Sequence, residues 1–388
     1  MRTKDYARQY RSLWPELAPI VERTLFEDDP ILGAAVGRFE TALASYHGVA
    51  HAIGMGSGTD AIVQMIQALG LGAGDEIITC AHTFAGVISA VIQAGAEPRL
   101  VDADPRSGLL EADAVARAIT PRTRAVLAVH LYGRPVALAP LVALCEARGL
   151  RLLEDAAQAH GARYADRPVG SFGLACALSF HPSKNLGAFG DGGAVLTSSA
   201  ELASALRVRR NLGKVDKYRI GVIAPNSKLD TLQAAVLDLK LRHLDAWVAR
   251  RRQLAARYRD GLARVGDLLL PDDPAPGRHA YHLYVVQTSR RDALRAHLAA
   301  HEIATGLHYP VPAARQPAFA DRFRDQAFPI ADALARTGLT LPLSHEHTDD
   351  EIDHVIARTR SCSAREAGRD PRRWSVRRAP VRGAGELA

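Results

Sequence analysis

Cysteine is scarce in this sequence, and long apolar segments are missing. Four cysteines occur among 388 residues, at positions 80, 145, 176 and 362. This wide spacing fits neither a disulfide framework nor a Cys/His zinc motif, and it predicts reduced thiols in a cytoplasmic protein. A membrane-spanning helix needs about 18 consecutive apolar residues, and the sequence contains no such run. Residues 1–17 also lack the apolar stretch and cleavage site of a secretory signal, so we expect neither secretion nor a membrane partner.

Aromatic residues make up only 6% of the chain, whereas apolar residues (47%) and charged residues (23%) have ordinary globular proportions. These proportions exclude a wholly disordered chain. At about 100–200 residues per domain, the length predicts two or three domains with a sizeable core.

The positive charge is concentrated at the end of the chain. The formal net charge is +7, and residues 361–388 supply +4 of it, from seven arginines and three acidic residues. A basic segment of this kind either binds nucleic acid or is simply solvated. Trp374 is its only aromatic residue, which leaves little for bases to stack on. We therefore expect a disordered tail and no nucleic-acid partner.

Short apolar segments alternate with helical patterns from residue 51 onward. Their composition predicts strands at 51–55, 76–80, 97–102, 123–130, 150–155, 176–180 and 193–197. Helical patterns lie between them, including 59–69, 83–94, 111–118 and 138–148. Near-continuous apolar strands separated by helices predict an α/β fold with a mostly parallel seven-stranded sheet, covered on both faces.

The rhythm of the sequence changes in its second half. Ser198 and Glu201 have capping-box spacing, and a long helical region follows, with Leu229, Leu232, Val236 and Leu239 at helical intervals. After the proline-rich turn at 271–277, strand and helix patterns resume at a different spacing. These features predict a large domain, a smaller α+β domain and a basic tail, over residues 1–245, 246–360 and 361–388.

Three segments that could carry chemistry each follow a predicted strand, where α/β sheets bind ligands. The first, GMGSGTD at 54–60, is a glycine turn leading into a helix that begins near Thr59. The free amides of a helix start can bind an anion. Thr59 stands where a dinucleotide fingerprint has glycine, and no Gly-Lys-Ser/Thr ending follows. A plain tight turn is an equally good interpretation of this segment.

The other two segments carry two carboxylates and a lysine. Glu154 and Asp155 end an apolar strand, and alternation points them to opposite faces. Asp155 is either a helix N-cap or the partner of a protonated heterocycle, because a buried carboxylate needs a donor or a cation. Lys184 lies in a Pro/Gly-rich turn between two apolar strands, where burial makes an amine a Schiff-base nucleophile. An anion cradle, an acid and a Schiff-base lysine are the parts of a pyridoxal phosphate site.

Six motifs in order carry a family resemblance: GSGTDAI, HLYGRP, EDAAQAHGA, SFHPSKNLGAFGDGGAV, NSKLDTLQAAVL and HYPVP. Over about residues 5–360 the chain resembles the DegT/StrS-type pyridoxal-phosphate-dependent nucleotide-sugar aminotransferases. The resemblance implies the aspartate-aminotransferase-like fold, fold type I, and a homodimer with shared active sites. It also implies transfer of an amino group, commonly from glutamate, to a keto sugar carried by a nucleoside diphosphate, typically deoxythymidine diphosphate (dTDP).

The resemblance also implies roles for individual residues. Lys184 matches the Schiff-base lysine, which also moves a proton during catalysis. Asp155 matches the carboxylate that keeps the pyridine nitrogen protonated. Gln158 matches the hydrogen-bond donor to the cofactor's phenolic oxygen, and Phe84 matches the aromatic residue that stacks on the ring.

The phosphate of the cofactor would be held by a second group of residues. Thr59 and Asp60 match ligands that act through backbone amides, and Ser179 matches a side-chain ligand. Asn226 matches an asparagine that reaches the phosphate across the dimer. Two departures concern specificity: Lys228 stands where the family usually has arginine, and His181 stands where it usually has an aromatic residue.

A histidine-rich segment near the end of the small domain offers a competing signal. His345, His347 and His354 lie close to acidic residues, as in a metal site. Thr348 and Glu351, however, have capping-box spacing, which predicts the start of a helix. We therefore expect no metal.

Alternative functions stay open beside a sugar aminotransferase. Some relatives use the same cofactor to dehydrate deoxysugars, but they carry histidine where this chain has Lys184. Other relatives aminate a keto-cyclitol, and the sequence excludes them less firmly. A DNA- or partner-binding regulator would need none of Lys184, Asp155 and Gln158.

Overall fold

The computed structural model describes residues 1–273 and 275–364. The predicted tail at 361–388 lies outside this range except for its first four residues, which continue the last helix to Ala364. Within the described ranges, no helix combines the length and apolar character needed to cross a membrane.

The described residues form α-helices and β-strands in an alternating order. The helices are α1 (Tyr6–Glu27), α2 (Ala34–His47), α3 (Gly58–Ala68), α4 (Ala85–Gln93), α5 (Ala112–Ala118), α6 (Leu138–Arg148), α7 (Ala200–Arg210), α8 (Thr231–Leu262), α9 (Arg291–Ala299), α10 (Pro329–Thr337) and α11 (Asp349–Ala364). The strands are β1 (His51–Met55), β2 (Glu76–Cys80), β3 (Glu97–Val101), β4 (Thr123–Val129), β5 (Arg151–Asp155), β6 (Arg163–Tyr164), β7 (Arg167–Pro168), β8 (Ala175–Ser179), β9 (Gly193–Thr197), β10 (Gly277–Arg278), β11 (Tyr284–Gln287) and β12 (Gly338–Leu341).

Seven strands form the main sheet, in the order β1-β9-β8-β5-β4-β2-β3. Neighbours from β8 to β3 pair in parallel, whereas β9 pairs antiparallel with both β8 and β1. Six strands therefore run in one direction, and β9 alone is reversed. Every residue of β2, β8 and β9 is buried, as expected for strands covered on both faces. The predicted mostly parallel seven-stranded sheet is confirmed.

Two local predictions about helix starts differ from the structure. Ser199, not Ser198, caps α7, and its hydroxyl accepts from the amide of Leu202 at 3.1 Å. The Thr197 hydroxyl accepts from the Ser199 amide, which moves the turn one residue onward. Leu229 precedes α8, because an isolated bridge between Ile31 and Asp230 keeps the chain extended there.

The predicted helix start near the histidine-rich segment is confirmed. The Thr348 amide donates to the Glu351 carboxylate at 2.8 Å, and the Glu351 amide donates to the Thr348 hydroxyl at 3.2 Å. These reciprocal bonds form a capping box at the start of α11.

Two apolar cores lie on either side of the middle of α8. Residues up to Val248 pack in the core that surrounds the main sheet. Residues from Leu254 onward pack in a second core with β11, β12 and α11. The helix itself is continuous from Thr231 to Leu262, so a domain boundary near 245 stays a prediction.

Candidate active site

The candidate site lies at one edge of the main sheet. Strands β1, β2, β4, β5 and β8 run in the same direction, so their carboxyl ends share this edge. The glycine turn follows β1, Phe84 follows β2, and Asp155 ends β5. Lys184 lies in the connection from β8 to β9. The topology thus brings together residues that are far apart in the sequence.

A glycine turn leads from β1 into α3. Ser57 caps the helix, and its hydroxyl accepts from the Asp60 amide at 3.1 Å. A Cβ atom at Gly58 would lie 2.6 Å from Cβ of Ser179, so only glycine permits this close approach. Gly58 and Thr59 occupy the first turn, where amides have no acceptor within the helix. The Asp60 amide is already bonded to Ser57, and the Asp60 carboxylate accepts from the Ser227 hydroxyl at 2.8 Å.

Lys184 and Asp155 are the charged groups at the centre of this edge. Burial lowers the pKa of Lys184 from 10.5 to about 8, and the nearby Asp155 carboxylate opposes this shift. Burial raises the pKa of Asp155, although one of its oxygens accepts from the Ala157 amide at 2.9 Å. A cation beside Asp155 would therefore stabilise its charged form. The predicted N-cap role of Asp155 is wrong, since no helix follows β5 directly.

Two tyrosines connect Gln158 to the aromatic residues of the site. The Gln158 amide oxygen accepts from the Tyr132 amide at 2.8 Å, and its Nε2 donates to the Tyr309 hydroxyl at 3.0 Å. The ring of Tyr309 lies 5.5 Å from that of Phe84, centroid to centroid. Phe84 is 48% exposed, which leaves a ring face free for stacking. The Tyr132 hydroxyl contacts the ring of His82 at 3.1 Å and donates to the carbonyl of His308.

Asn226 directly precedes Ser227, whose hydroxyl donates to the Asp60 carboxylate. Asn226 is exposed, and its amide oxygen accepts a hydrogen bond from Nζ of Lys228. Lys228 also donates to Asn211 at 3.3 Å. Within the described part of the chain, Asn226 makes no hydrogen bond to Thr59, Asp60 or Ser179.

His181 lies on the loop that carries Lys184. Its Nδ1 contacts the Ser183 hydroxyl at 2.9 Å, and its carbonyl accepts from the Lys184 amide at 2.8 Å. The ring therefore helps to fold this loop, and it is exposed beside the candidate site.

The profile of the DegT/DnrJ/EryC1/StrS aminotransferase family matches residues 15–360. The chain belongs to this family. A dTDP-3-amino-3,4,6-trideoxy-alpha-D-glucose transaminase of Streptomyces venezuelae is 42% identical over 362 residues, 93% of this chain and 96% of the relative.

Solved structures give the same result for the fold. Streptomyces venezuelae DesV, in complex with a ketimine intermediate, has a TM-score of 0.91 at 42% identity, covering 92% of this chain and 97% of that chain. NtdA from Bacillus subtilis, with bound cofactor PMP, has a TM-score of 0.85 at 28% identity, covering 91% and 82%. This chain is a pyridoxal-phosphate-dependent sugar aminotransferase.

The residues of this aminotransferase fit the cofactor chemically. A partly buried amine is available at Lys184, and the buried Asp155 carboxylate, whose pKa is raised, has no bonded cation among the described residues. The first turn of α3 offers amides to a phosphate. Phe84 offers an exposed aromatic side chain on which the flat ring of the cofactor could stack.

The sequence analysis assigned no role to Tyr132 or Tyr309. Both belong to motifs of the resemblance, HLYGRP and HYPVP, yet a tyrosine alone is as easily part of a core. Their hydrogen bonds with Gln158 show that both tyrosines lie next to the site. This could not be predicted from the sequence, because Tyr132 and Tyr309 are far apart in the chain.

Proposed function

We propose that this aminotransferase converts a dTDP-linked 3-keto deoxyhexose to its 3-amino sugar, with glutamate as the amino donor. The main support is the partly buried Lys184 amine near Asp155, in a chain 42% identical to a dTDP-3-amino-sugar transaminase. A 4-keto sugar is the second candidate for the carbon that is aminated.

In this proposal Lys184 and Asp155 are the catalytic residues. The cofactor supplies an electron sink for the carbon that loses its proton. With its pKa near 8, the Lys184 amine can both attack a carbonyl and carry a proton at neutral pH. Asp155 holds the pyridine nitrogen in its protonated form, and that pairing compensates the burial of its carboxylate.

Five further residues position the cofactor in this proposal. Gln158 keeps one Nε2 hydrogen free for the phenolic oxygen, since the other bonds to Tyr309. Phe84 offers its exposed ring face for stacking. Thr59, Asp60 and Ser179 lie where β1 and β8 end and bind the phosphate. Of these, Asp60 has its amide bonded to Ser57, so its contribution depends on release or sharing of that amide.

We also propose that the enzyme is a homodimer in which Asn226 binds the phosphate of the partner's cofactor. Large apolar side chains are exposed near Asn226, with Tyr218 at 85% and Ile223 at 97%, and Phe26 in α1 is 82% exposed. Tyr218 and Ile223 belong to the same segment as Asn226, and contiguous exposed apolar surface marks interaction sites on soluble proteins. A second copy covering this surface would bring Asn226 to a neighbouring site.

A panel assay tests the substrate. The purified enzyme is incubated with glutamate and with dTDP- or UDP-linked 3-keto and 4-keto deoxyhexoses, and the amino sugars are measured by mass spectrometry. We expect the highest kcat/KM with the dTDP-linked 3-keto sugar. Asp155→Asn should keep the cofactor but lower turnover at least 100-fold, because an amide cannot hold the ring nitrogen protonated.

A keto-cyclitol belongs in the same panel as the competing substrate. Amination of the cyclitol without amination of any nucleotide sugar would contradict the proposal. Loss of a sugar hydroxyl without gain of nitrogen would indicate a dehydratase instead, which Lys184 disfavours.

A further inference from the structure

The chain before α1 is held against the second core at several points. The Met1 carbonyl accepts from the Ala304 amide at 2.9 Å, and the Arg2 carbonyl contacts the ring of His347 at 3.1 Å. Asp5 caps α1 by accepting from the Arg8 amide at 3.0 Å. The backbone on both sides of Lys4 is thus fixed, and the Lys4 side chain extends into the protein.

Nζ of Lys4 is buried and has no hydrogen-bond partner among the described residues. Its neighbouring charges are mainly positive: Arg251 and Lys184 lower its pKa after burial, and Glu346 alone raises it. The Glu346 carboxylate is already bonded to Nε2 of Gln9 and to the Ser344 hydroxyl. A buried ammonium without a partner requires an anion or loses its proton.

Lys4 lines a cavity of about 230 Å³ beside the reactive lysine. Ser183, His282, His308 and Thr340 are among the other polar residues of its wall. Nδ1 of His282 is also buried without a partner among the described residues. Ser183 directly precedes Lys184, and His308 directly precedes Tyr309. Two residues with unpartnered buried polar groups therefore line one small cavity next to the candidate site.

We propose that this cavity is a subsite for a carboxylate of the amino donor, with Lys4 as its cation. A cavity of 230 Å³ is smaller than the roughly 300–1,000 Å³ of typical ligand pockets, which suits part of an amino acid better than a nucleotide. An ammonium and an imidazole N–H are both donors for a carboxylate. The inference rests on the proposed use of glutamate, whose amino group must reach the cofactor bound at Lys184.

Binding of glutarate to the resting enzyme tests this subsite without any turnover. Glutarate carries both carboxylates of glutamate but no amino group, and isothermal titration calorimetry measures its Kd. We expect Lys4→Met to weaken glutarate binding at least tenfold, as is typical for loss of a charge-assisted hydrogen bond. Arg2→Met is the matched control, since it removes one positive charge from the same segment at an exposed position; it should bind glutarate as the wild type does.

Steady-state kinetics distinguish the half-reaction with glutamate from the half-reaction with the keto sugar. For Lys4→Met we expect the KM for glutamate to rise about tenfold, whereas the KM for the keto sugar stays within twofold. Retained cofactor absorbance and an unchanged or higher Tm would show that the Lys4→Met protein is folded. If this variant does not fold, Lys4→Gln takes its place and is compared with Arg2→Met.

Equal glutarate affinity in the wild type and Lys4→Met would overturn the proposal, and so would absence of binding to the wild type. Glucuronate provides the second probe. Lys4-dependent binding of glucuronate but not glutarate would assign the cavity to an acidic sugar and refute a donor subsite. Failure of the sugar proposal is seen separately, as a lack of amino-sugar products while Lys4-dependent glutarate binding persists.

Discussion

In the proposed function, the partly buried amine of Lys184 serves chemistry at the expense of stability. Burial lowers its pKa from 10.5 to about 8, which means that the folded protein binds its proton less tightly than the unfolded chain does. The same shift makes the amine more nucleophilic near neutral pH. The site is therefore expected to weaken the cofactor-free protein.

The first prediction follows from the sign of this shift. Below about pH 8, Lys184 is protonated in both the folded and the unfolded state, and the full free-energy cost of burying its charge is present. Between about pH 8 and 10.5 the unfolded chain binds more protons than the folded protein, so the free energy of unfolding rises with pH. At 1.36 kcal/mol per pKa unit, the cost is of the order of 3 kcal/mol. Lys184→Met should thus stabilise the cofactor-free protein at pH 7, and its advantage should shrink by pH 10.

Urea unfolding of cofactor-free protein at several pH values measures this difference. Lys217→Met is the control, because Lys217 is exposed and its removal should change stability little at any pH. A Lys184→Met protein no more stable than the wild type at pH 7 would show that the Lys184 ammonium is compensated in the folded state.

At the residue level, the sequence singles out residues whose type is unusual in its setting. A lysine in an apolar Pro/Gly-rich turn and a carboxylate ending a buried strand are conspicuous, and the structure places Lys184 and Asp155 near each other. Tyr132, Tyr309 and Lys4 were not assigned, because their significance depends on contacts between distant parts of the chain.

At the scale of secondary-structure elements, the start of a helix depends both on residues within its first turn and on contacts with the preceding strand. The Thr348–Glu351 capping box was predicted correctly because both partners lie within one turn. The Ser198 prediction was wrong by one residue, because Thr197 of the preceding strand bonds the Ser199 amide. Strand positions were predicted within one or two residues, since each strand is apolar on both faces. The reversal of β9 could not be predicted, because pairing direction leaves no periodic signal in a fully buried strand.

The capping box gives a prediction about α11. The Thr348 hydroxyl satisfies a first-turn amide, so Thr348→Ala should destabilise the protein by about 1 kcal/mol. Thr348→Ser keeps the hydroxyl and should cost only a few tenths of that. Urea midpoints of the two variants measure the difference. Equal midpoints for alanine and serine would mean that the hydroxyl adds nothing at this helix start.

At the scale of the whole molecule, the proposed dimer predicts complementation between inactive variants. If Asn226 serves the partner's site, the lesions of Lys184→Ala and Asn226→Ala chains fall in one site of a mixed dimer. The other site then carries neither lesion. A mixture of the two impaired homodimers should therefore regain activity after subunit exchange. Each heterodimer should have up to half the activity of one wild-type dimer.

The measurement is the aminotransferase activity of the mixture, compared with the sum of the separate activities. Asn226→Ala must be impaired alone, which is expected because a hydrogen bond to a charged group contributes about 1.5–3 kcal/mol. Native mass spectrometry of the mixture verifies that heterodimers form. An Asn226→Ala chain mixed with wild type is the control for mixing, because exchange leaves its number of intact sites unchanged. No gain in the double mixture would place both residues in the same subunit's site.

The reversal of strand β9 affects how the loop that carries Lys184 forms. Because β8 and β9 are antiparallel neighbours, the connection that carries Lys184 leaves and re-enters the sheet at the same edge. A parallel neighbour would have required a long crossover past the sheet. The closure entropy of this connection is small, but Asn185, Gly187 and Phe189 within it bond to the distant residues Ala280, Lys240 and Gln233. The two strands can therefore pair early, whereas the loop that carries Lys184 takes its final shape only when these distant parts of the chain have packed against it.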